Sequence, residues 1–446
     1  MNAETQSWST HLISLLYLVF IGVLFSWADR SNTLVLFILF GGSFLGYALL
    51  LYQKNVSFNY LIGVGVIAHL LAFFFIPYLS PDCYRFLWDG ALTWSGKNPV
   101  DHLPQDIIQQ DPYTTNSYFR ELYSGLTDLS RRHYTCYPTV NQWYFVVANT
   151  FSNSVAVNLL VLKALIYLTQ LVGLRYIIKI LEHFKMDPKK AFILALNPLW
   201  LVETVGNLHF EGVMLSFFVI GLYFLIKEKW VLASLFLAFA IHVKLVPIVL
   251  LPFLFRYLGW AKSAVVYSIT GVFIALLAIV YLRLDNYMNF LNSLELYFRA
   301  FEFNSSIYHH YLQYGKDIYG WLRTDIYGER MSRLGMYVIL AVAFFGGKRD
   351  FKTMASYMTV GLVLYYLFAT TVHPWYVLTI LGLSVFTRFS FGIIWSGLIF
   401  MTYVAYGDWP KDTDTFFWMV QIEYAILLAV MLYELIWRKP VLRFAA

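Results

Sequence analysis

Apolar stretches follow one another along almost the whole of this chain, at 11–28, 33–52, 60–79, 156–181, 191–206, 211–226, 230–243, 245–256, 263–283, 333–347, 353–371, 375–387, 391–406 and 416–437. A chain in hydrocarbon must satisfy its backbone polar groups internally, and a helix needs about 20 apolar residues to cross. The expected fold is therefore all-α: a polytopic transmembrane helical bundle of about 11–14 spans. Composition agrees, with 59% hydrophobic and 13% charged residues against about 25% charged for soluble domains. The run at 11–28 lacks a basic leader and a small-residue cleavage site, so it is expected to stay as the first membrane helix.

A net charge of +6 raises the question of nucleic acid, but the basic residues are scattered through short connections. Lys54, Lys179, Lys185, Lys189, Lys190, Lys227, Lys229, Arg256, Lys262, Lys348, Arg349, Lys352, Arg388, Arg438 and Lys439 all fall on one side if both termini are cytoplasmic. The positive-inside rule accounts for them, and no nucleic-acid partner is expected. The same alternation puts two long polar segments, 80–155 and 284–332, on the extracytoplasmic side. The chain then divides into N-terminal membrane helices (1–79), a first external loop (80–155), central helices (156–283), a second external loop (284–332) and C-terminal helices (333–446). Loops this long are usually functional. Tyr118 to Leu129 reads as an amphipathic helix suited to a membrane surface.

The first loop opens with Asp82-Cys83-Tyr84-Arg85-Phe86-Leu87-Trp88-Asp89-Gly90. On a helix this spacing puts both carboxylates on one face with Arg85 between them. Such a group offers a base, a cation for phosphate and flat surface for a sugar. It also reads as a salt-bridged helix end, and for Asp89 the two readings weigh equally. Asp82 is the stronger functional candidate, because no local capping rule calls for an acid there. Gly96 and Asn98-Pro99 mark a turn. Cys83 and Cys136 share this loop, where a disulfide is possible in an oxidising compartment. They lack the histidine pattern of a zinc site.

Further along, His242-Val243-Lys244-Leu245-Val246-Pro247 joins two apolar runs, each short for a span. It is expected to be a broken or re-entrant hairpin, tolerated where backbone lines a cavity. A lysine there either meets an anion or snorkels to the interface. His209 and Glu211 lie at an external turn, as substrate contacts or as a buried polar network. His373-Pro374 opens a helix and is either simple punctuation or a proton-handling or phosphate-binding histidine. Asn304 and Tyr308 suit either sugar hydroxyls or local turn formation.

Taken in order, several motifs resemble a known group. Asp82-x-x-Arg85-Phe86-x-Trp88-Asp89-Gly90 is followed by Gly96-x-Asn98-Pro99 and Tyr137-Pro138. Asn197-Pro198-Leu199-Trp200, Gly206-Asn207-Leu208-His209-Phe210-Glu211, Lys244-Leu245-x-Pro247, Phe303-Asn304-Ser305-Ser306-Ile307-Tyr308 and His373-Pro374-Trp375-Tyr376 come next. Together they resemble bacterial GT-C membrane glycosyltransferases, and within them the polyprenyl-phosphate-mannose-dependent mannosyltransferases. In many GT-C enzymes the catalytic loop follows the first membrane helix, whereas here it follows the third apolar run.

The resemblance implies a GT-C bundle in a bacterial inner membrane, with its site on the extracytoplasmic side. It implies an inverting transfer of a sugar, mannose first, from a polyprenyl-phosphate donor to a lipid, glycan or protein acceptor. Asp82 is then the candidate base, with Asp89 second and His373 assisting; Arg85, Lys244 and His209 are candidates for phosphate. Trp88, Asn98, Tyr137, Glu211, Asn304, Tyr308, Trp375 and Tyr376 are candidates for substrate. No cofactor is required by this reading, although Asp82 and Asp89 can be imagined sharing a divalent Mg or Mn ion. The alternatives are a lipid-linked sugar transporter or flippase, and a glycan ligase. The ligase would draw on Arg85, Arg120, Arg131, Arg132, Arg299 and Arg323. A transporter is expected to show paired broken helices in two repeats, and only one broken hairpin is visible.

Overall fold

The computed structural model describes residues 6–27, 29–295, 301–345, 348–407 and 413–442. No β-strand occurs among the described residues; a single bridge pairs Phe303 with Thr371. The all-α expectation holds. Trp8–Trp27, Thr33–Tyr52, Val155–His183, Trp260–Ala278 and most of Thr413–Trp437 are long and apolar enough to cross a membrane. Pro198–Gly206 and Glu211–Ile226 together make a sixth candidate, bent by 107° at the break between them. Length and composition thus mark five or six spans among the described residues, and the other apolar runs form shorter helices. Leu16, Leu45, Leu171, Val272 and Ile422 point outward, as expected of an integral membrane protein whose outer surface meets lipid.

Local chemistry explains many of the boundaries. The side chains of Asn32 and Ser57 accept bonds from Val35 N and Tyr60 N, capping Thr33–Tyr52 and Phe58–Leu71. Asn197 caps Leu199 N ahead of Pro198, and Pro247 stands in the first turn of Val246–Leu258. Residues 242–245 connect two short apolar helices, Trp230–Ile241 and Val246–Leu258.

The connecting segments gather at two ends of the bundle. At one end Lys190 Nζ donates to Thr387 O, Lys262 pairs with Glu228, and Phe184 stacks on Phe351. These contacts join connections that carry basic residues. At the other end lies the first polar segment, which forms the helices Asp82–Trp94, Ser117–Gly125, Asp128–Arg132 and Thr139–Asn149. Lys163 Nζ, from inside the Val155–His183 helix, donates to the carbonyls of Ala72 and Phe75. It caps the helix that leads into this segment and so fixes where Asp82 begins. Asp82–Trp94 packs along Thr139–Asn149. A Cβ on Gly90 would run into the backbone carbonyl of Phe145, so the glycine is what lets the two helices touch.

Candidate functional site

Where the polar end meets the bundle lies a cavity of about 530 Å³, within the size range of small-ligand sites. Asp82, Tyr137, His209, Lys244, His373, Trp375 and Tyr376 all line it. These seven candidates are drawn from sequence positions 82 to 376, and the fold brings them together.

Asp82 stands at the start of its helix with a side chain 34% exposed. Its Oδ2 is 3.7 Å from His209 Nε2. Burial raises its pKa, but the adjacent His209 and the charge of Lys244 beyond it outweigh that and hold it below the usual carboxylate range. Lys244 is ion-paired with Glu211, which is almost fully buried. The lysine also lies over the rings of Tyr376 and Trp375, 5.0 and 5.9 Å from their centroids. Trp375 stacks with the ring of His373 at 4.4 Å and lies against the tilted ring of His209 at 3.6 Å. A flat aromatic floor therefore sits beside an acid and a cation. Glu211 itself is not part of the lining; it holds the lysine.

The other candidates lie elsewhere. Arg85 and Asp89 are buried against each other, with Nε to Oδ1 at 2.8 Å. Arg85 Nη1 also donates to the carbonyls of Ser130 and His133. Their shared face with Asp82 divides in two: Asp82 meets the cavity, and the pair behind it closes the core. Burial holds the Asp89 carboxyl above the usual range, although Arg85 opposes this. Trp88 is buried edge-on against Phe119 at 5.4 Å, pinning Ser117–Gly125 to the Asp82–Trp94 helix. Asn98 donates to Tyr281 O and accepts from Val100 N, which ties down the turn it sits in. Asn304 donates to Glu423, and Tyr308 is packed with Leu312, Tyr327 and Met331 in a separate small cluster. Arg131 is occupied by Tyr123 O and Asp128, and Arg299 lies outside the described residues.

Both cysteines are free thiols. Burial pushes Cys83 up to about 12 and Cys136 to about 11, so neither is a ready nucleophile. A divalent ion shared by Asp82 and Asp89 does not fit, because Asp89 faces Arg85 and Gln142 in the core. Among the described residues no group of three or more His, Cys, Asp or Glu side chains is set to hold a metal.

Two groups that sequence reasoning missed belong to this wall. Arg30, in the turn between the first two helices, lines the cavity with its guanidinium over the Tyr406 ring at 5.4 Å. It has no carboxylate partner among the described residues. Its signal was a basic residue in a connection opposite the basic ones. Glu203, inside an apolar run, lies just behind the wall and accepts a bond from Tyr403 OH; an acid in such a run was its signal.

Residues 19–261 match the family described as alpha-(1->6)-mannopyranosyltransferase, N-terminal domain, over more than half of the chain. Alpha-(1->6)-mannopyranosyltransferase A of Corynebacterium glutamicum is 23% identical over 184 residues, covering 40% of this chain and 35% of that protein. The chain thus aligns with about a third of the length of the curated relative it matches. No solved structure matches. The chain belongs to the alpha-(1->6)-mannopyranosyltransferase family, in line with its resemblance to GT-C membrane enzymes. The matched span includes Asp82, His209 and Lys244 and stops before His373.

Proposed function

We propose that this protein transfers mannose from a polyprenyl monophosphate to an acceptor hydroxyl at the extracytoplasmic membrane face, with inversion at the sugar carbon. The observation that carries this reading is Asp82, an ionised and partly open carboxylate facing a cavity that also holds cations and an aromatic floor. The acceptor oxygen attacks the anomeric carbon as the bond to phosphate oxygen breaks. The hydroxyl proton passes to Asp82, and the phosphate leaves with one more negative charge. A positioned base of this kind contributes about 10²–10⁴-fold.

Arg30 and Lys244 are the cations for the departing phosphate. Arg30 brings an uncommitted guanidinium, whereas Lys244 must share itself with Glu211. Trp375 and Tyr376 offer the face on which the sugar stacks. Val246, Ile248, Val249, Met336, Tyr365 and Phe368 give the cavity an apolar flank, which suits an isoprenoid chain entering from the bilayer. Membrane lipids are its surroundings, and the acceptor is a lipid, glycan or protein hydroxyl.

The test is transfer of radiolabelled mannose from polyprenyl-phosphate-mannose by purified protein in lipid, with membrane extract as acceptor. Transfer by the wild type that Asp82→Asn abolishes in a folded protein supports the reading. Undiminished transfer by that variant removes Asp82 as the base. No transfer from any polyprenyl-phosphate sugar by folded wild type overturns the reading in favour of a transporter or ligase.

A further inference from the structure

Glu203 is fully buried in the π-turn Val202–Gly206, and the transfer chemistry as described has no use for it. A carboxylate buried among apolar helices is costly unless its oxygens are occupied. Here they are. Tyr403 OH donates to Oε1 at 2.7 Å, and Asn207 Nδ2 donates to Oε2 at 3.1 Å. His209 Nδ1 is 2.9 Å from the same Oε2, and the His209 backbone N–H donates to Glu203 O. Between them Leu208 adopts a left-handed φ of +64°, a conformation a leucine rarely takes. The strained turn is the geometry that folds the imidazole back onto Glu203.

The result is a fixed orientation. With its Nδ1–H given to Glu203 and its ring against Trp375, His209 presents Nε2 to Asp82 Oδ2 at 3.7 Å. Nε2 has no hydrogen-bond partner among the described residues. We infer that Glu203 is the positioning residue of this site: acting through His209, it sets the tautomer and charge of the imidazole beside Asp82. This rests on Asp82 being the base. A base must be ionised when the acceptor arrives, and a cationic imidazole backed by a buried carboxylate keeps it so. During transfer the acceptor proton goes to Asp82, and His209 retains its Nδ1 proton throughout.

The other groups facing Asp82 do not supply this. His373 is kept neutral by burial, and Lys244 is committed to Glu211. Cys136, Tyr376 and Tyr406 have no positive charge to offer it. Facing His209 are Glu203, Asp82, Trp375 and, across that ring, His373.

The experiment is the pH dependence of kcat and KM for mannosyl transfer in lipid, from about pH 2.5 to 8, for wild type, Glu203→Gln, Tyr403→Phe and Asp82→Asn. Without the Glu203 charge the imidazole loses its proton more readily, and Asp82 then loses its cation. The Asp82 pKa rises, and the acid limb of kcat moves to higher pH by about one unit or more. KM should change by less than about twofold for Glu203→Gln, because Glu203 lies behind the cavity wall that binds donor, whereas Tyr403 lines that wall and its variant is read by the pH profile alone. Tyr403→Phe removes one bond to Glu203 and should shift the limb the same way by less. It serves as the test should the Gln variant not fold.

An acid limb that stays where the wild type has it, in folded Glu203→Gln or Tyr403→Phe, overturns the inference. If Asp82→Asn abolishes transfer while that limb stays put, the inference alone fails. If Asp82→Asn transfers normally, the base assignment and everything resting on it fail together.

Discussion

Asp82 and Asp89 are two helical turns apart on one helix, and the molecule puts them in opposite surroundings. At the cavity wall Asp82 keeps a third of its side chain open and is held ionised by cationic and imidazole groups. Two turns further along, Asp89 is sealed, with Arg85 on one oxygen and Gln142 at 3.4 Å from the other. The first arrangement leaves a lone pair for a ligand; the second spends every contact on joining the helix to its neighbours. A carboxylate becomes a candidate catalyst through what is left unoccupied around it, not through its charge alone.

That contrast can be broken from either side. The largest effect is expected from Asp82→Asn, which should lower kcat for mannosyl transfer by about 10²–10⁴-fold while leaving thermal unfolding close to wild type. Arg85→Ala should do the reverse. Removing one partner of a buried pair strands the other charge, a loss of about 3–5 kcal/mol. Thermal inactivation should report it, with activity per folded molecule preserved. Equal losses of activity in both variants would erase the distinction.

Gly90→Ala probes the closed region alone. Its new Cβ would meet backbone at Phe145 and the Asn149 amide, costing about 1–3 kcal/mol of stability with little change in KM. Arg30→Gln probes the open region alone. Loss of a charged contact to phosphate should raise donor KM by about 10-fold or more, read from initial rates against donor concentration.

The smallest effect is the pH profile of the wild type. Because the Asp82 pKa lies below the ordinary value, the base stays ionised as pH falls and is lost only as pH drops through that lowered pKa. No acid limb from this carboxylate should appear above about pH 4. A limb near pH 5 or 6 would assign the base to a group held differently.

Much of the framework was legible residue by residue. Thr33–Tyr52 and Glu211–Ile226 were bounded as observed, because caps, polar turns and apolar runs all speak locally. Asp82 and Lys244 stood out because acids and lysines at membrane edges are costly. The grouping of Asp89, Arg85 and Asp82 on one face was correct as geometry and silent on use, since helical spacing does not say what packs over each turn. Glu203 was passed over inside an apolar run, and its partner Tyr403 is 200 residues away. Asn98, Asn304 and Tyr308 look like ligand contacts by type, yet Asn98 bonds to Tyr281, Asn304 to Glu423 of the last helix, and Tyr308 packs in a small cluster of its own.

The sequence by itself determined an all-helical membrane protein, its polar segments, its basic connections and the candidacy of Asp82. Hydrophobicity, capping and charge alternation act over a few turns, so they can be read along the chain. Only the tertiary structure decided that Arg30, Asp82, His209, Lys244 and His373 share one wall while Arg85 and Asp89 close the core behind it. Burial and hydrogen-bond satisfaction are set by neighbours from distant helices, and those neighbours exist only once the bundle has formed.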